Sequence, residues 1–488
     1  MAKRTAIIDI GSNSVRMVIF EKTSRFAFHL LHEVKSRVRI SADAYGNNGN
    51  LQDPAIERAL AALRDFLTIA DSYGVRKTLC VATSAVREAP NKNHFLGRVK
   101  KELGLNIKVI DGEKEAYLGG IACANLLPRA DAVTIDIGGG STECAYIENG
   151  DVVKSYSLDL GTVRLKELFF DSGDIDGAVA YVDRELQRLP QCSCAHAVGI
   201  GGTFRAISRI LLKKSAHPLQ KLHAYRFNAA PMQQFLGKIL EAPNNTALKK
   251  LGIKPERYDV IRPGALILSR LLKHLETTAL TASGVGLREG VYLADLLRHS
   301  RHRFPEHYNP SMRCLMDRFD VAPAQSRHLA RTAKQLFDLL HEYLEIPAHH
   351  RQELGIAARL CKIGTALHYY SHHQHSYYLT QTALEYGYSH ETIMLVSTLV
   401  RFQKRKRPSK AHRTEYSTLL PDDGVVKMLS FLLALADALL AHQPRTVDFS
   451  LEFRGGELVV AAAGAPLYLA CEQAGALEFP EKLAIRFL

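Results

Sequence analysis

Two aspartates, each closing an apolar run and opening a glycine-bearing turn, are the residues in this chain best spaced for chemistry. The first stands in Ala6-Ile7-Ile8-Asp9-Ile10-Gly11-Ser12-Asn13-Ser14, the second in Ile135-Asp136-Ile137-Gly138-Gly139-Gly140-Ser141-Thr142-Glu143. A strand ending in Asp-x-Gly suits a hairpin whose backbone amides point at a phosphate while the carboxylate holds a metal ion. Glycine is required because a Cβ would keep the anion from the N–H groups. One such turn also serves hairpins without a ligand; two in matching context imply a duplicated domain gripping phosphate from both sides. The cradle would be the amides of Ser12, Asn13 and Ser14 with those of Gly138, Gly139, Gly140 and Ser141. Asp9 and Asp136 would hold a hydrated Mg2+ that shields phosphate charge, their competing role being to cap their own turns. Glu143, on the strand leaving the second turn, faces the same cleft as Asp136. Arg87, after an apolar run and Thr83-Ser84, carries a fork that would clamp phosphate. Glu113 and Glu115 precede a helical run, where their charge by itself suits the helix dipole.

The elements that must position these groups alternate. Residues 5–21 read as strand, turn and strand (Val15–Phe20). Asp53–Tyr73 shows a helical period through Ile56, Leu60, Leu63, Phe66, Leu67 and Ala70. A buried strand over Lys77–Thr83, a helix over His94–Leu103, a strand over Ile107–Ile110 and a helix over Ala116–Leu126 follow. Residues 131–147 repeat the opening, Val152–Leu158 extends the meander, and Val163–Phe170 begins a helix. This alternation predicts an α/β layer architecture. A third glycine turn, Gly199-Ile200-Gly201-Gly202-Thr203, precedes a helix over Phe204–Leu212, and a fourth, Ala282–Gly290, leads into a helix over Val291–Arg298. From residue 305 helical periodicity dominates, over Ser326–Leu344, Arg351–His368, His390–Phe402 and Val425–His442. A strand pair (Thr446–Phe453, Glu457–Ala462), a helix (Leu467–Ala474) and a strand (Ile485–Leu488) close the chain. The expected division is a first lobe at 1–125, a second at 126–303, and a helical module with a small β tail at 304–488.

Length and composition narrow the class. A chain of 488 residues exceeds a single core and implies several modules. Its 47% hydrophobic and 23% charged content is that of an ordinary globular protein. No apolar run approaches the ~20 residues that span a bilayer. Met1-Ala2-Lys3-Arg4 leads straight into a strand-like run, so no secretory signal is expected. The eight cysteines are scattered, and the close pair Cys192 and Cys194 has no second pair at zinc-finger spacing. They read as reduced thiols of a cytoplasmic protein. The net charge of +13 points to a polyanionic partner. Basic residues are dense at Arg401–Arg413 and Arg298–Arg303. Without a zinc-finger or RNP-like aromatic motif, nucleic acid is disfavoured; a polyanion made of phosphate fits the glycine turns.

Six motifs in order carry a resemblance: Asp9–Ser14, Thr83–Arg87, Gly112–Ala116, Asp136–Glu143, Gly199–Thr203 and Gly286-Leu287-Arg288-Glu289-Gly290. Over roughly residues 5–300 the chain resembles the Ppx/GppA family of exopolyphosphatases and guanosine pentaphosphate phosphohydrolases. The resemblance implies two actin-like (ribonuclease H-like) α/β lobes followed by a mainly α-helical, HD-like C-terminal domain. It makes Glu115 the general base and assigns Glu143 to magnesium or water orientation, beside Asp9 and Asp136. It associates Arg16 and Arg257 with phosphate or nucleotide contacts, a role to which the turn Gly201, Gly202 and Thr203 is added. The implied activity is removal of terminal phosphate from inorganic polyphosphate, guanosine pentaphosphate or both by Mg-assisted water attack. The implied assembly is a homodimer through the C-terminal modules. In the third module, Ala357–Gly364 stands where an HD enzyme carries His-Asp ligands. Lys362 and Cys361 replace them, leaving Asp437 alone, so a non-catalytic platform is expected, its Lys404–Arg413 run guiding polyphosphate. The histidines from His368 to His375 read as surface or core residues. The alternatives are a guanosine tetra- or pentaphosphate sensor with little turnover, and a sugar- or acetate-type kinase. Against the kinase, no adenosine pocket signature appears beyond Gly199–Thr203.

Overall fold

The computed structural model describes residues 3–44, 48–128, 130–190, 194–403 and 408–488. Cys192 and the run Lys404–Arg407 lie outside them. The chain forms two compact units, Met1–Tyr308 and Asn309–Leu488.

The first unit holds two sheets. In the first, β1 (Arg4–Ile10), β2 (Val15–Lys22), β3 (Phe28–Ser36), β4 (Lys77–Ala82) and β5 (Ile107–Val109) run in the order β3-β2-β1-β4-β5. The second comprises β6 (Ala132–Ile137), β7 (Thr142–Glu148), β8 (Asp151–Leu158), β9 (His196–Ile200), β10 (Tyr225–Asn228) and β11 (Ala279–Ala282), ordered β10-β11-β9-β6-β7-β8. Read from its other edge, β8-β7-β6-β9-β11 repeats the first sheet. In each, an antiparallel hairpin meets a parallel neighbour along its first strand. This is an α/β architecture of two lobes built on one repeated sheet topology. The central strands β1 and β6 are apolar on both faces because both are covered; Ile7, Ile8, Val133 and Ile135 are fully buried. The Asp53–Ser72 helix begins with Pro at its first turn and buries Ile56, Leu60, Leu63 and Phe66 against the first sheet.

Several elements escape the sequence pattern. The edge strand β3 mixes His29, His32, Glu33 and Lys35 with apolar residues and has no clean alternation. Helices Ile175–Leu186, Ala229–Leu240 and Ile261–His274 fill out the second lobe. The helix expected from Ala116 starts at Gly112, where the Asp111 side chain accepts from the Lys114 N–H; Glu115 therefore lies inside the first turn.

In the second unit, helices Pro323–Leu340, Arg351–Leu360, His390–Phe402 and Asp423–Leu439 share a core that includes Leu336, Phe337, Leu399, Leu432 and Leu435. A sheet of β12 (Phe449–Arg454), β13 (Glu457–Ala462) and β14 (Ala484–Phe487) accompanies them. The single helix expected over Arg351–His368 is interrupted. It ends at Leu360, and a short 3-10 turn, Ile363–Ala366, follows. Packing explains the break: the Gly364 N–H donates to Ser376 Oγ, and a Cβ on Gly364 would lie 2.2 Å from the His372 carbonyl oxygen. Lys362 donates to the Asp437 carboxylate, so that anion has a cationic partner within the protein. The seven described cysteines are unbridged, and no described helix is long and apolar enough to cross a membrane.

Candidate active site

Both glycine turns open onto one cleft and meet there. A Cβ built on Gly139 would lie 2.8 Å from Ser12 Cβ, so the loops of the two lobes touch backbone to side chain. Each loop has its carbonyls held from behind. Ser12 and Asn13 oxygens accept from the Ser41 and Arg39 amides; Gly138 and Gly139 oxygens accept from the amides of Thr162, Val163 and Arg164. The Arg164 side chain adds a 2.7 Å bond to the Gly140 oxygen. Among the described residues the N–H groups of Ser12, Asn13, Gly139 and Gly140 have no backbone acceptor, which suits them to an anion. The cradle expected from Gly138 is corrected here. Its N–H closes the turn onto the Ser141 oxygen at 2.9 Å, as the Gly11 N–H does onto Ser14, so neither faces a ligand.

The carboxylates enter from equivalent registers. Asp9 pairs across its hairpin with Arg16, and Asp136 pairs across its own with Glu143. All four line the cleft with Glu115. Glu143 accepts from Ser157 Oγ at 3.0 Å. Glu115 accepts from Arg87 Nη1 at 3.1 Å, while the same nitrogen donates to the Ile110 oxygen. Arg87 stands behind the cleft-lining residues and reaches the site through its bond to Glu115. Burial pushes the Glu143 carboxyl up to about 8, against the pull of the Ser141 hydroxyl. Burial also holds Glu115 well above the usual carboxyl range, and the Glu143 charge adds to it while Arg87 opposes. Asp9 and Asp136 are raised by burial too, their nearest relief coming from Arg288 and Arg205 respectively.

Asp136 is seated by a glycine. Gly201 sits at φ +73°, and a Cβ there would stand 2.3 Å from Asp136 Oδ1; both the left-handed backbone and the close approach exclude a side chain. A second close approach fixes the cleft wall. Gly290 lies in the Leu287–Leu296 helix, and a Cβ on it would be 2.0 Å from the Leu118 oxygen. The Leu287–Leu296 helix can thus press the helix that carries Glu115. Glu289 caps its start, accepting from the Gly286 N–H at 2.7 Å.

The remaining wall is cationic. Arg257 and Arg16 line it as expected, with Gly201, Gly202 and Thr203, and so do Lys35, Arg37, Arg39, Arg205 and Arg288, which sequence reading passed over. Lys35 lies on the edge strand β3 and Arg37 and Arg39 just after it, a strand that periodicity does not show. Arg288 lies inside the Gly286–Gly290 motif, whose spacing alone gives that residue no role. Burial and the nearby Arg16 and Arg257 charges bring the Lys35 ammonium down to about 8. No group of three or more His, Cys, Asp or Glu among the described residues is close enough to cage a metal. Asp9, Asp136 and Glu143 therefore form no three-carboxylate site, and a hydrated ion on one or two of them is what this donor set fits.

The sequence pattern of the Ppx/GppA phosphatase family matches residues 18–299, and that of domain III of the same phosphatases matches residues 309–450. The chain belongs to the Ppx/GppA phosphatase family. It is similar to a bifunctional 3-dehydroquinate synthase/phosphatase of Fusobacterium nucleatum, 29% identical over 289 residues. That stretch is 55% of this chain and 43% of the relative, so the chain spans less than half of it. Among solved structures, an Aquifex aeolicus member of the Ppx/GppA family is 29% identical with a TM-score of 0.54, over 62% of this chain and 99% of its own. An exopolyphosphatase from Cytophaga hutchinsonii is 26% identical with a TM-score of 0.55, over 61% and 99%.

Proposed function

We propose that this phosphatase removes the terminal phosphate of inorganic polyphosphate, of guanosine pentaphosphate, or of both. The observation that carries this reading is the contact of the two glycine turns at Ser12 and Gly139, with free amides on each. A phosphate chain end placed between them receives donors from both lobes, and the cationic wall offsets its remaining charge. Glu115, in its ionised form, takes a proton from a water behind the terminal phosphorus. The new oxygen–phosphorus bond forms as the bridging bond breaks, giving inorganic phosphate and a chain one unit shorter. Arg87 orients Glu115 and favours its ionised form. Asp9 and Asp136 would hold a hydrated Mg2+, which when bound supplies shielding of phosphate charge. Ser141 and Ser157 hold Glu143 beside that position.

The test is phosphate release measured side by side on long-chain polyphosphate and guanosine pentaphosphate with Mg2+. Release from neither, with tight binding of the nucleotide, would replace this reading by a sensor.

A further inference from the structure

We infer that the surface beside the cleft on the second lobe, between the Gly201–Lys214 helix and the segment 249–257, is a track that holds the distal part of a long polyphosphate chain. The inference rests on the reading above and adds where chain-length preference resides.

Residues 201–254 carry ten Lys and Arg against a single acid, Glu241. The geometry sets part of that charge beside one helix. A Cβ on Gly202 would stand 3.0 Å from Arg257 Nη2, at the cleft. Two turns further along the helix, a Cβ on Gly252 would lie 3.7 Å from Ile210 Cδ1. The segment therefore runs back alongside this face of the helix. Arg209 and Lys213, one turn apart and both exposed, stand on the helix; Lys250 and Lys254 are exposed on the segment. Arg209 lies near enough to Arg257 for its charge to depress the Arg257 guanidinium, which joins the surface cations to the cleft wall. Among the described residues none of Arg209, Lys213, Lys250 and Lys254 has an acidic partner.

Four unpaired cations on two neighbouring elements repel one another, which a linear polyanion relieves. A free terminal phosphate or a nucleotide ends within the cleft and gains nothing from it. The second unit, by contrast, holds 20 Lys and Arg against 18 acids, close to neutral.

The experiment replaces the four together, Arg209→Ala, Lys213→Ala, Lys250→Ala and Lys254→Ala, in the full chain. None of them lines the cleft. Two readouts are compared with wild type: KM for long-chain polyphosphate against tripolyphosphate, and anisotropy of labelled long-chain polyphosphate bound without turnover in EDTA. The expected result is a KM and Kd for the long chain raised about fifteenfold, as four exposed ion pairs each worth a factor of about two would give. Tripolyphosphate kinetics stay unchanged, and the salt dependence of long-chain binding flattens. Equal loss on both substrates, or no loss on either, overturns the track. So does a single-stranded oligonucleotide that displaces the labelled chain as well as polyphosphate does. Failure of the proposed activity is separate: wild type would then release phosphate from neither substrate, while the anisotropy comparison still reports on the track.

Discussion

Arg87 Nη1 and Glu115 Oε2 are 3.1 Å apart, with the same nitrogen tied to the Ile110 oxygen. The guanidinium thus opposes the burial that raises the Glu115 carboxyl above its usual range. If Glu115 is the base, Glu115→Gln lowers kcat by about 10²- to 10⁴-fold while leaving the melting temperature near wild type. Phosphate release and thermal melting check both halves.

Arg87→Ala should act differently. Without its partner the Glu115 carboxyl rises further, so the acidic limb of the rate profile moves to higher pH, and Arg87→Lys restores part of the shift. A uniform drop in rate at every pH would instead mean that Arg87 does not act through the Glu115 proton.

Stability has its own pH dependence. Glu143 is raised from 4.5 to about 8, so its contribution is fully present below about pH 4.5 and is lost progressively as pH rises to about 8. Glu143→Gln has nothing to ionise there. In EDTA the variant should gain on wild type steadily from about pH 4.5 to about pH 8 and run parallel to it above that, measured as the difference in melting temperature. Curves parallel over the whole range would exclude a buried, neutral Glu143.

Magnesium removal should stop phosphate release, and Asp136→Asn should raise the Mg2+ requirement by about tenfold or more. Calorimetric titration of Mg2+ into wild type and variant, without substrate, separates lost binding from lost chemistry.

Gly201→Ala places a methyl 2.3 Å from Asp136 Oδ1 at φ +73°. The expected cost is about 2–4 kcal/mol by chemical denaturation, with activity lost as well. Gly97→Ala, inside the Lys92–Leu103 helix with nothing within 4 Å, should stabilise by about 0.5–1 kcal/mol and leave activity intact.

What could be read in advance follows from where physics is local. The Asp-x-Gly turns announce themselves because hairpin, glycine and carboxylate all lie within ten residues of one another. The His390–Phe402 helix was legible from its apolar period alone. Lys35, Arg37 and Arg39 were not, because what brings them to the cleft is an edge strand paired to β2, a long-range fact. Arg87 shows the opposite failure. Its motif was visible, yet its direction depends on Glu115 twenty-eight residues away. Gly138 shows a third: the turn that makes the cradle also uses up one of its own donors.

Arg16 and Glu143 hold the same place in two copies of one hairpin. Exchange the halves and a positive group lands where a negative one was. A ligand between equal jaws could lie head-first or tail-first; between these it has a front and a back. The fold's repetition builds the grip, and this one broken symmetry gives the grip a direction.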